Sequence, residues 1–322
     1  MDQSPACHIC GNNKDNTAYT MREMFYGTRD AFPYFQCASC GCLQIAKIPK
    51  DMSKYYSPEY YSYSDRFQSK YRDPLRRKIR QWRNYRNIIR NSFLGSLVSR
   101  MAPNTKFDAL SMISPLSRSS RILDVGCGGG ELIFMVREAG FKNTLGIDPY
   151  LPADITYENG LKIQKVSIHD LQGEWDVIMY NHSFEHTPDQ REQLHSVHRL
   201  LASGGTCLIR VPTVSSRAWE QYRENWVQID APRHFYLHSL KSMDLLAKDT
   251  GFRVEKVVYD STNVQFYGSE LYRMDLPLVH LLSNTVFTKD QMRTWGKEAG
   301  KLNLQQKGDQ AAFFLRKLEA SS

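Results

Sequence analysis

The 322-residue sequence predicts an α/β domain built on a doubly wound, mostly parallel sheet. The main observation is an apolar, β-prone run, Ile122 to Val125, followed by three glycines at alternate positions and a helical pattern from Glu131. A second apolar run, Thr144 to Ile147, leads directly into Asp148. This order of strand, glycine turn, helix and strand is typical of a parallel sheet that binds a ligand at its carboxyl edge.

The glycine turn predicts that a ligand approaches the backbone closely. Gly126, Gly128 and Gly130 can adopt a positive φ, and they carry no Cβ that a ligand would meet. The first amides of the following helix then face that ligand. In nucleotide-binding sheets an acid about 20 residues farther on binds ribose hydroxyls, and Asp148 lies at this distance.

The pattern Asp124-x-Gly126-x-Gly128-x-Gly130, with a strand and Asp148 after it, resembles motif I and the ribose acid of class I S-adenosylmethionine (SAM)-dependent methyltransferases. The resemblance implies a Rossmann-like sheet of seven strands, the last antiparallel, and SAM as cofactor. Within it, Asp124 holds the turn or the amino group of SAM, and Asp148 binds the ribose. A structural glycine turn in another α/β domain is the competing interpretation. The expected cofactor-binding residues are Asp124, Gly126, Cys127, Gly128, Gly130, Asp148, Asp170 and Asn181.

Charge and cysteine content bound the class of protein. The chain has 42 Lys and Arg against 34 Asp and Glu, with a pI near 9.0. The excess is concentrated between Arg66 and Arg100, where Asp73 is the single acid among eleven basic residues. No stretch reaches the roughly 20 apolar residues of a membrane span, and the N-terminus lacks an apolar signal core. We therefore expect a cytoplasmic protein, in which seven cysteines favour metal binding over disulfides.

Two Cys-x-x-Cys motifs, each followed by glycine, predict a zinc ribbon over residues 1–50. One motif contains Cys7 and Cys10, and the other contains Cys37 and Cys40. Two such pairs complete a tetrahedral Zn²⁺ site with no open position, so the metal is expected to be structural. A ribbon that binds nucleic acid is less favoured, because only three basic residues lie between the first and last of these cysteines.

Residues 51–118 are expected to form a tyrosine-rich segment, a basic helical lid and a linker. The tyrosines of 55–63 suit either docking on the catalytic domain or stacking on a sugar. Pro74 opens a helix of about six turns whose apolar residues recur at steps of three and four up to Leu97. Three interpretations remain open for the basic helix 74–100: a cap over the cofactor cleft, peripheral contact with the inner membrane face or a lipid diphosphate, and nucleic-acid binding.

Further strands are expected at 164–169, 175–180, 206–211, 253–259 and 311–318. The strand 175–180 delivers the segment 181–186 to the carboxyl edge of the sheet. Thr187 and Gln190 are expected to cap the next helix as a capping box, and Gly204 is expected to end it.

The segment Asn181-His-Ser-Phe-Glu-His186 supplies the candidate base. A sugar hydroxyl is a poor nucleophile until its proton is accepted, and histidine is the usual base near neutral pH. His186 is the first candidate and His182 the second, while a purely structural Glu185–His186 pair is the alternative. The segment also resembles the Glu-x-x-Glu-His metal triplet of ubiquinone-pathway O-methyltransferases, but His182 replaces a glutamate, which argues against a catalytic metal.

Insertions at about 213–236 and 262–311 are expected to cover the substrate. In the first, Asn225-Trp-x-Gln-x-Asp-Ala-Pro-Arg-His234 resembles bacterial methyltransferases encoded with surface-polysaccharide and other glycan-assembly genes, many of which begin with a similar zinc ribbon. This resemblance implies Trp226, Asp230 and Arg233 as substrate ligands and His234 as an alternative base. An Arg–Asp pair that only anchors the loop is the competing interpretation.

Together these patterns predict a SAM methyltransferase domain at 119–322 that methylates a hydroxyl of a sugar or glycan, with a sugar nucleotide or a lipid-linked glycan as acceptor. Sugar C-methylation and an RNA-directed methyltransferase are the alternatives. A non-catalytic scaffold is disfavoured, because the glycine motif and its two acids are intact.

Overall fold

The computed structural model describes residues 5–56, 66–90, 97–98, 100–279 and 286–318. In chain order the strands are β1 (Thr17–Arg22), β2 (Ala31–Gln36), β3 (Leu43–Ile45), β4 (Ile122–Val125), β5 (Thr144–Ile147), β6 (Ile155–Thr156), β7 (Lys162–Gln164), β8 (Trp175–Asn181), β9 (Leu201–Pro212), β10 (Tyr236–Leu237), β11 (Phe252–Tyr259) and β12 (Gln310–Lys317). The α-helices are α1 (Pro74–Ile88), α2 (Glu131–Glu138), α3 (Gln190–Leu200), α4 (Arg217–Tyr222), α5 (Leu240–Asp249), α6 (Val264–Arg273) and α7 (Lys289–Leu304).

The larger sheet has the strand order β11-β12-β9-β8-β4-β5-β7-β6. Strands β7, β5, β4, β8 and β9 pair in parallel, and β12 lies antiparallel between β9 and β11. The predicted α/β class, with a mostly parallel sheet and an antiparallel strand near one end, is confirmed. The two-residue strand β6 adds an eighth strand, antiparallel to β7 at the opposite edge.

The third strand of this sheet differs from the prediction. β7 spans Lys162–Gln164 and does not continue to His169. The Lys165 amide donates instead to Asp154 Oδ1 at 2.8 Å, and the Asp170 amide closes a turn on Ser167 O at 3.1 Å. Backbone groups used in this way cannot extend a strand, so Asp170 lies in an exposed turn.

The boundaries of α3 also correct the sequence prediction. Thr187 Oγ1 and Gln190 Nε2 both donate to Phe184 O at 2.8 Å, so these side chains brace the preceding segment and form no capping box. The helix ends at Leu200, and β9 begins at the next residue, so Gly204 lies within a strand. Apolar periodicity therefore located the helix but not its ends.

Helix α1 is shorter than predicted, and the first half of its predicted apolar stripe faces solvent. It ends at Ile88, and its apolar residues Leu75, Ile79 and Trp82 are exposed, not packed over the cofactor cleft. Residues 57–65 of the tyrosine-rich segment, and residues 91–96 and 99 of the predicted helix, lie outside the described part of the chain.

A smaller sheet joins the N-terminal module to the larger domain. Its order is β1-β2-β3-β10, and β10 belongs to the insertion that follows β9. Tyr236 and Leu237 of β10 pair with Gln44 and Leu43 of β3. One hydrophobic cluster contains buried residues of both parts, from Cys7 in the module to Leu315 in β12. The module and the insertion therefore share a core.

Arg233 fastens this junction. Its side chain is fully buried, and its guanidinium bonds to Asp230 at 2.5 Å, to Glu23 at 3.1 Å and to Tyr55 O at 3.0 Å. Trp226 is also fully buried and donates from Nε1 to Asp309 Oδ2 at 3.0 Å. These internal bonds favour the competing interpretation, in which the Arg–Asp pair anchors the loop, over substrate binding by Trp226, Asp230 and Arg233, because their polar groups are already used within the fold.

Among the described residues, no helix combines the length and the apolar character needed to cross a membrane.

Replacing Arg233 with methionine should lower the free energy of unfolding by about 3–5 kcal/mol, because Glu23 and Asp230 would keep their charges without the guanidinium. Urea denaturation followed by circular dichroism measures this change. Arg217→Met is the control, since it removes a 3.5 Å pair with Glu220 between exposed side chains and should cost less than about 1 kcal/mol. Equal losses in the two variants would contradict the fastening role.

Candidate active site

The glycine turn between β4 and α2 has the backbone form that the sequence predicts. Gly126 has φ 68° and Gly128 has φ 53°, which place both in the left-handed region. A Cβ on Gly126 would lie 2.6 Å from Ser183 Cβ, so no larger residue fits there. The Gly128 amide donates to Asp148 Oδ2 at 2.9 Å, and the other oxygen of Asp148 accepts from the Tyr150 amide at 2.9 Å. Asp148 therefore ties the end of β5 to the turn.

Asp124, in β4, is a buried acid beside this turn. It is 3 % exposed, and burial, followed by the charge of Asp148, raises the pKa of Asp124 to about 8. A cation bound next to Asp124 would favour the carboxylate and lower this pKa. SAM carries an ammonium and a sulfonium, so the buried acid and the open glycine turn fit this cofactor.

A cavity of about 990 Å³ adjoins the turn. On the cofactor side it is lined by Asp124, Gly126, Cys127, Glu131, Leu132 and Asn181. The other residues that line it are Phe67, Lys70, Arg90, Thr105, Lys106, Asp108, Met112, His182, Arg210, Val258, Tyr259, Asp260, Ser261, Thr262 and Asn303. Of the histidines proposed as the base, His182 is among these lining residues, whereas His186 and His234 are not.

His182 is held in one tautomer. Arg210 Nη1 lies 2.5 Å from His182 Nε2, and because a guanidinium can only donate, Nε2 must carry the lone pair. The proton is then on Nδ1, which lies 3.4 Å from Glu185 Oε1. Arg210 Nε in turn bonds to Asp260 Oδ2 at 2.5 Å. His182 itself has φ 55°, a strained value for a residue with a side chain.

Arg210 and Asp260 are site residues that the sequence analysis missed. Arg210 lies near the carboxyl end of β9, and Asp260 directly follows β11. An acid that directly follows a predicted strand had singled out Asp148, so the same signal was available for Asp260. Arg210 carried no such signal, because a basic residue inside an apolar strand is equally typical of an exposed edge.

Glu185, which is not among the residues that line the cavity, has three histidines around it. It is fully buried, and neither carboxylate oxygen has a hydrogen-bond partner among the described residues. Burial opposes its charge, but the neighbouring His182, His186 and His234 favour the charge and hold the pKa of Glu185 at about 2. Burial and the nearby His234 lower the pKa of His186 to about 4. At neutral pH Glu185 is therefore ionised and His186 is neutral.

His186 and His234 both bond to the backbone through Nδ1, so Nε2 is the ring nitrogen that could bind a ligand. His186 Nδ1 lies 2.9 Å from Arg233 O, and His234 Nδ1 lies 2.7 Å from Gln228 O, so each Nδ1–H donates to a carbonyl. One ligand atom from each of Glu185, His186 and His234 lies within 4.8 Å of the others. These three residues could hold a divalent metal.

The four cysteines of the two N-terminal motifs converge. Their sulfur atoms all lie within 4.8 Å of one another, with 3.5 Å between Cys7 and Cys40 and between Cys10 and Cys37. Gln44 Nε2 donates to Cys7 Sγ at 3.1 Å, the kind of outer contact that orients a metal ligand. Cys42, which the sequence analysis left out of the set, is outside this cluster.

The fold, the glycine turn and the buried acids define a class I SAM-dependent methyltransferase. A family model described as "Methyltransferase domain" matches residues 86–257, more than half of the chain, and the chain belongs to this family. The predicted enzyme class and the predicted SAM cofactor are thus confirmed.

Curated relatives are similar over part of this sequence. The chain is 31 % identical to a ubiquinone biosynthesis O-methyltransferase of Erwinia tasmaniensis over 109 residues, which cover 31 % of this chain and 45 % of the relative. It is 32 % identical to that of Dechloromonas aromatica over 124 residues, which cover 32 % of this chain and 53 % of the relative. The chain thus spans about half the length of these relatives.

A SAM-dependent methyltransferase of Thermotoga maritima superposes with a TM-score of 0.43 and 17 % identity, over 74 % of this chain and 99 % of that one. Phosphoethanolamine N-methyltransferase 2 of Haemonchus contortus superposes with a TM-score of 0.40 and 16 % identity, over 67 % of this chain and 53 % of that one.

SAM affinity should depend on pH through Asp124. Because its pKa is about 8 in the free protein and falls when a cation binds, binding releases a proton. Affinity should therefore weaken as pH falls below about 8, by up to about tenfold per pH unit. Calorimetric titration with SAM between pH 6 and 8 measures the slope, which should become much shallower in Asp124→Asn.

The control for this titration is Asp154→Asn, which changes an exposed acid outside the cavity. It should keep the slope of the unaltered protein. A slope that is unchanged in Asp124→Asn would show that another group binds the cationic end of SAM.

Proposed function

We propose that this methyltransferase transfers the methyl group of SAM to a hydroxyl of a sugar or glycan carried by a nucleotide or a lipid, in the assembly of a surface polysaccharide or a related glycan. The observation that supports this proposal is the charged lining of the cavity. A polyhydroxylated acceptor can exchange hydrogen bonds with charged groups, whereas an apolar acceptor would remove them from water without replacement. The charged lining residues are Lys70, Arg90, Lys106, Asp108, Asp124, Glu131, Arg210 and Asp260.

The charges of this lining are balanced in pairs. Arg90 lies 2.5 Å from Asp108, and Lys106 lies 2.5 Å from Glu131. Because these pairs are partly exposed, each costs little to rearrange, and an acceptor oxygen can replace one partner. The lining thus suits an acceptor with several hydroxyls more than one with a single strong charge.

The proposed base is His182. When bound, SAM supplies an electrophilic methyl group on its sulfonium. In the proposed reaction the acceptor hydroxyl replaces Arg210 Nη1 at His182 Nε2 and transfers its proton there, while Arg210 keeps its bond to Asp260. The imidazolium that forms is stabilised by the Glu185 carboxylate on its Nδ1 side. His186, the first candidate from the sequence, is the less suitable base because its pKa is about 4 and it does not line the cavity.

Methyl transfer to a sugar hydroxyl should fall by about 100-fold or more in His182→Ala, because the proton acceptor is removed. The assay uses methyl-labelled SAM with nucleotide sugars, a lipid-linked glycan extract and total RNA as separate acceptors. SAM binding should persist in this variant, which separates loss of the base from loss of the cofactor. His195→Ala, an exposed histidine of α3, is the control and should retain activity.

Three results would change this proposal. Label in RNA would overturn the acceptor class. Label on a sugar carbon, identified by NMR of the product, would indicate C-methylation. Glycan activity that survives in His182→Ala but is lost in His186→Ala would identify His186 as the base.

We also propose that residues 1–50 form a zinc ribbon, in which Cys7, Cys10, Cys37 and Cys40 hold one structural Zn²⁺. The supporting observation is the convergence of four thiols within a small module. Without a cation, these sulfur atoms would bury polar groups that have few other partners. Such a metal contributes to folding and leaves the cavity chemistry to the other residues.

Purified protein should contain about one zinc per chain by elemental analysis, because four thiolates complete one tetrahedral site. Cys10→Ser should lose this zinc and lower the thermal midpoint. Cys207→Ala, which alters a fully buried cysteine of β9, is the control and should keep the zinc even if it lowers stability. Zinc retained in Cys10→Ser would contradict the proposed ligand set.

A further inference from the structure

Helix α1 packs on the protein through its polar side. Arg77 donates from Nε and Nη2 to Glu138 at 2.8 Å, and Gln81 donates to the same carboxylate at 2.9 Å. Asn84 and Asn87 are fully buried. Asn84 donates to Tyr71 OH at 3.0 Å, and Asn87 Oδ1 accepts from the Asn104 amide at 2.9 Å. Hydrogen bonds therefore attach the first part of this helix to the domain, while Ile88 and Tyr85 near its end pack on a hydrophobic cluster.

The apolar side of α1 faces outward. Leu75, Ile79 and Trp82 lie at steps of four and three, so they share one face. Their exposed fractions are 69 %, 59 % and 51 %. A helix on a globular domain normally buries such a face, and a contiguous exposed one marks a contact with another apolar phase or surface. We call these three residues the exposed face of α1.

Basic residues border this face. Between Pro74 and Ile88 there are five arginines and one lysine and no acid. Arg76 and Arg83 lie three and four positions from Ile79, and Lys78 lies three from Leu75 and four from Trp82, so cations flank the face on both sides. Any partner must therefore accept apolar side chains in the middle and positive charge at the border.

We propose that the exposed face of α1 docks the protein peripherally on an anionic phospholipid surface. A helix with Leu, Ile and Trp on one face and Lys and Arg beside them lies in the headgroup region, where the indole and the guanidinium groups both find suitable surroundings. A second copy of the chain would bring two sets of cations together, and their repulsion opposes such a dimer. Nucleic acid would place phosphates against the cations and leave the three apolar side chains in water.

The test is flotation of the full-length protein with vesicles of phosphatidylcholine alone, or with phosphatidylglycerol as about a third of the lipid. The protein should float with the anionic vesicles and remain behind with the neutral ones. Ile79→Ser/Trp82→Ser should weaken binding by about tenfold or more, because the apolar contact is lost. Arg76→Gln/Lys78→Gln, which removes one cation from each side of the face, should weaken it by a similar factor and reduce its dependence on salt.

The matched control is Met274→Ser/Leu304→Ser, which removes two apolar side chains that are 53 % and 89 % exposed elsewhere. It should bind vesicles as the unaltered protein does. Because none of these side chains is buried, all variants should keep the thermal midpoint and SAM binding, which also separates this result from any failure to methylate a glycan.

Equal flotation with neutral and anionic vesicles, or full binding by Ile79→Ser/Trp82→Ser, would overturn the proposal. A dimer in analytical ultracentrifugation that this variant dissociates would show that a second copy covers the face. An RNA complex that loses affinity in both the apolar and the charge variant would show a nucleic-acid partner instead.

Discussion

Compensation of buried charge between the N-terminal module and the insertion is the constraint on which the site depends. Glu23 from the module and Glu185 from the segment after β8 are both fully buried. Arg233 forms ion pairs with Glu23 and Asp230. His234 Nε2 lies 3.7 Å from Asp230 Oδ2 and 3.9 Å from Glu185 Oε1. A buried carboxylate without charged partners costs several kcal/mol. Glu23 also accepts from three backbone amides of its own module, and Arg233 adds the opposite charge, so the two parts share the compensation.

This chain of charges continues to the cavity. Glu185 faces His182, His182 bonds to Arg210, and Arg210 bonds to Asp260. The position of the proposed base thus depends on a series of contacts that starts at Glu23 in the N-terminal module. The family match starts at residue 86, yet the module shares a core cluster with the larger sheet. Removal of the module would therefore remove the cysteine cluster and also disturb the wall of the cavity.

The sequence was sufficient for the parts of the site that follow from strand ends. Asp124 and Asp148 flank a glycine turn, and the φ values of its glycines are positive, as predicted. At Gly126 only glycine fits, because a Cβ there would meet Ser183. Which histidine meets the cavity could not be predicted in this way. His182 and His186 belong to one short motif, and the choice depends on a positive φ at His182 and on Arg210 from another strand. The pairing of Arg233 with Glu23 could not be predicted either, because Glu23 lies 210 positions away.

Helix α1 shows a second limit of sequence patterns. Periodicity correctly grouped Leu75, Ile79 and Trp82 on one face, but it carries no information about which face meets the protein. That choice depends on Glu138, whose carboxylate accepts from Arg77, Gln81 and Asn159 and so replaces an apolar contact by a set of hydrogen bonds. A buried acid of this kind must be paired, and the polar side of the helix supplies two of its three side-chain partners. The polar side is therefore drawn inward, and the apolar side becomes a surface.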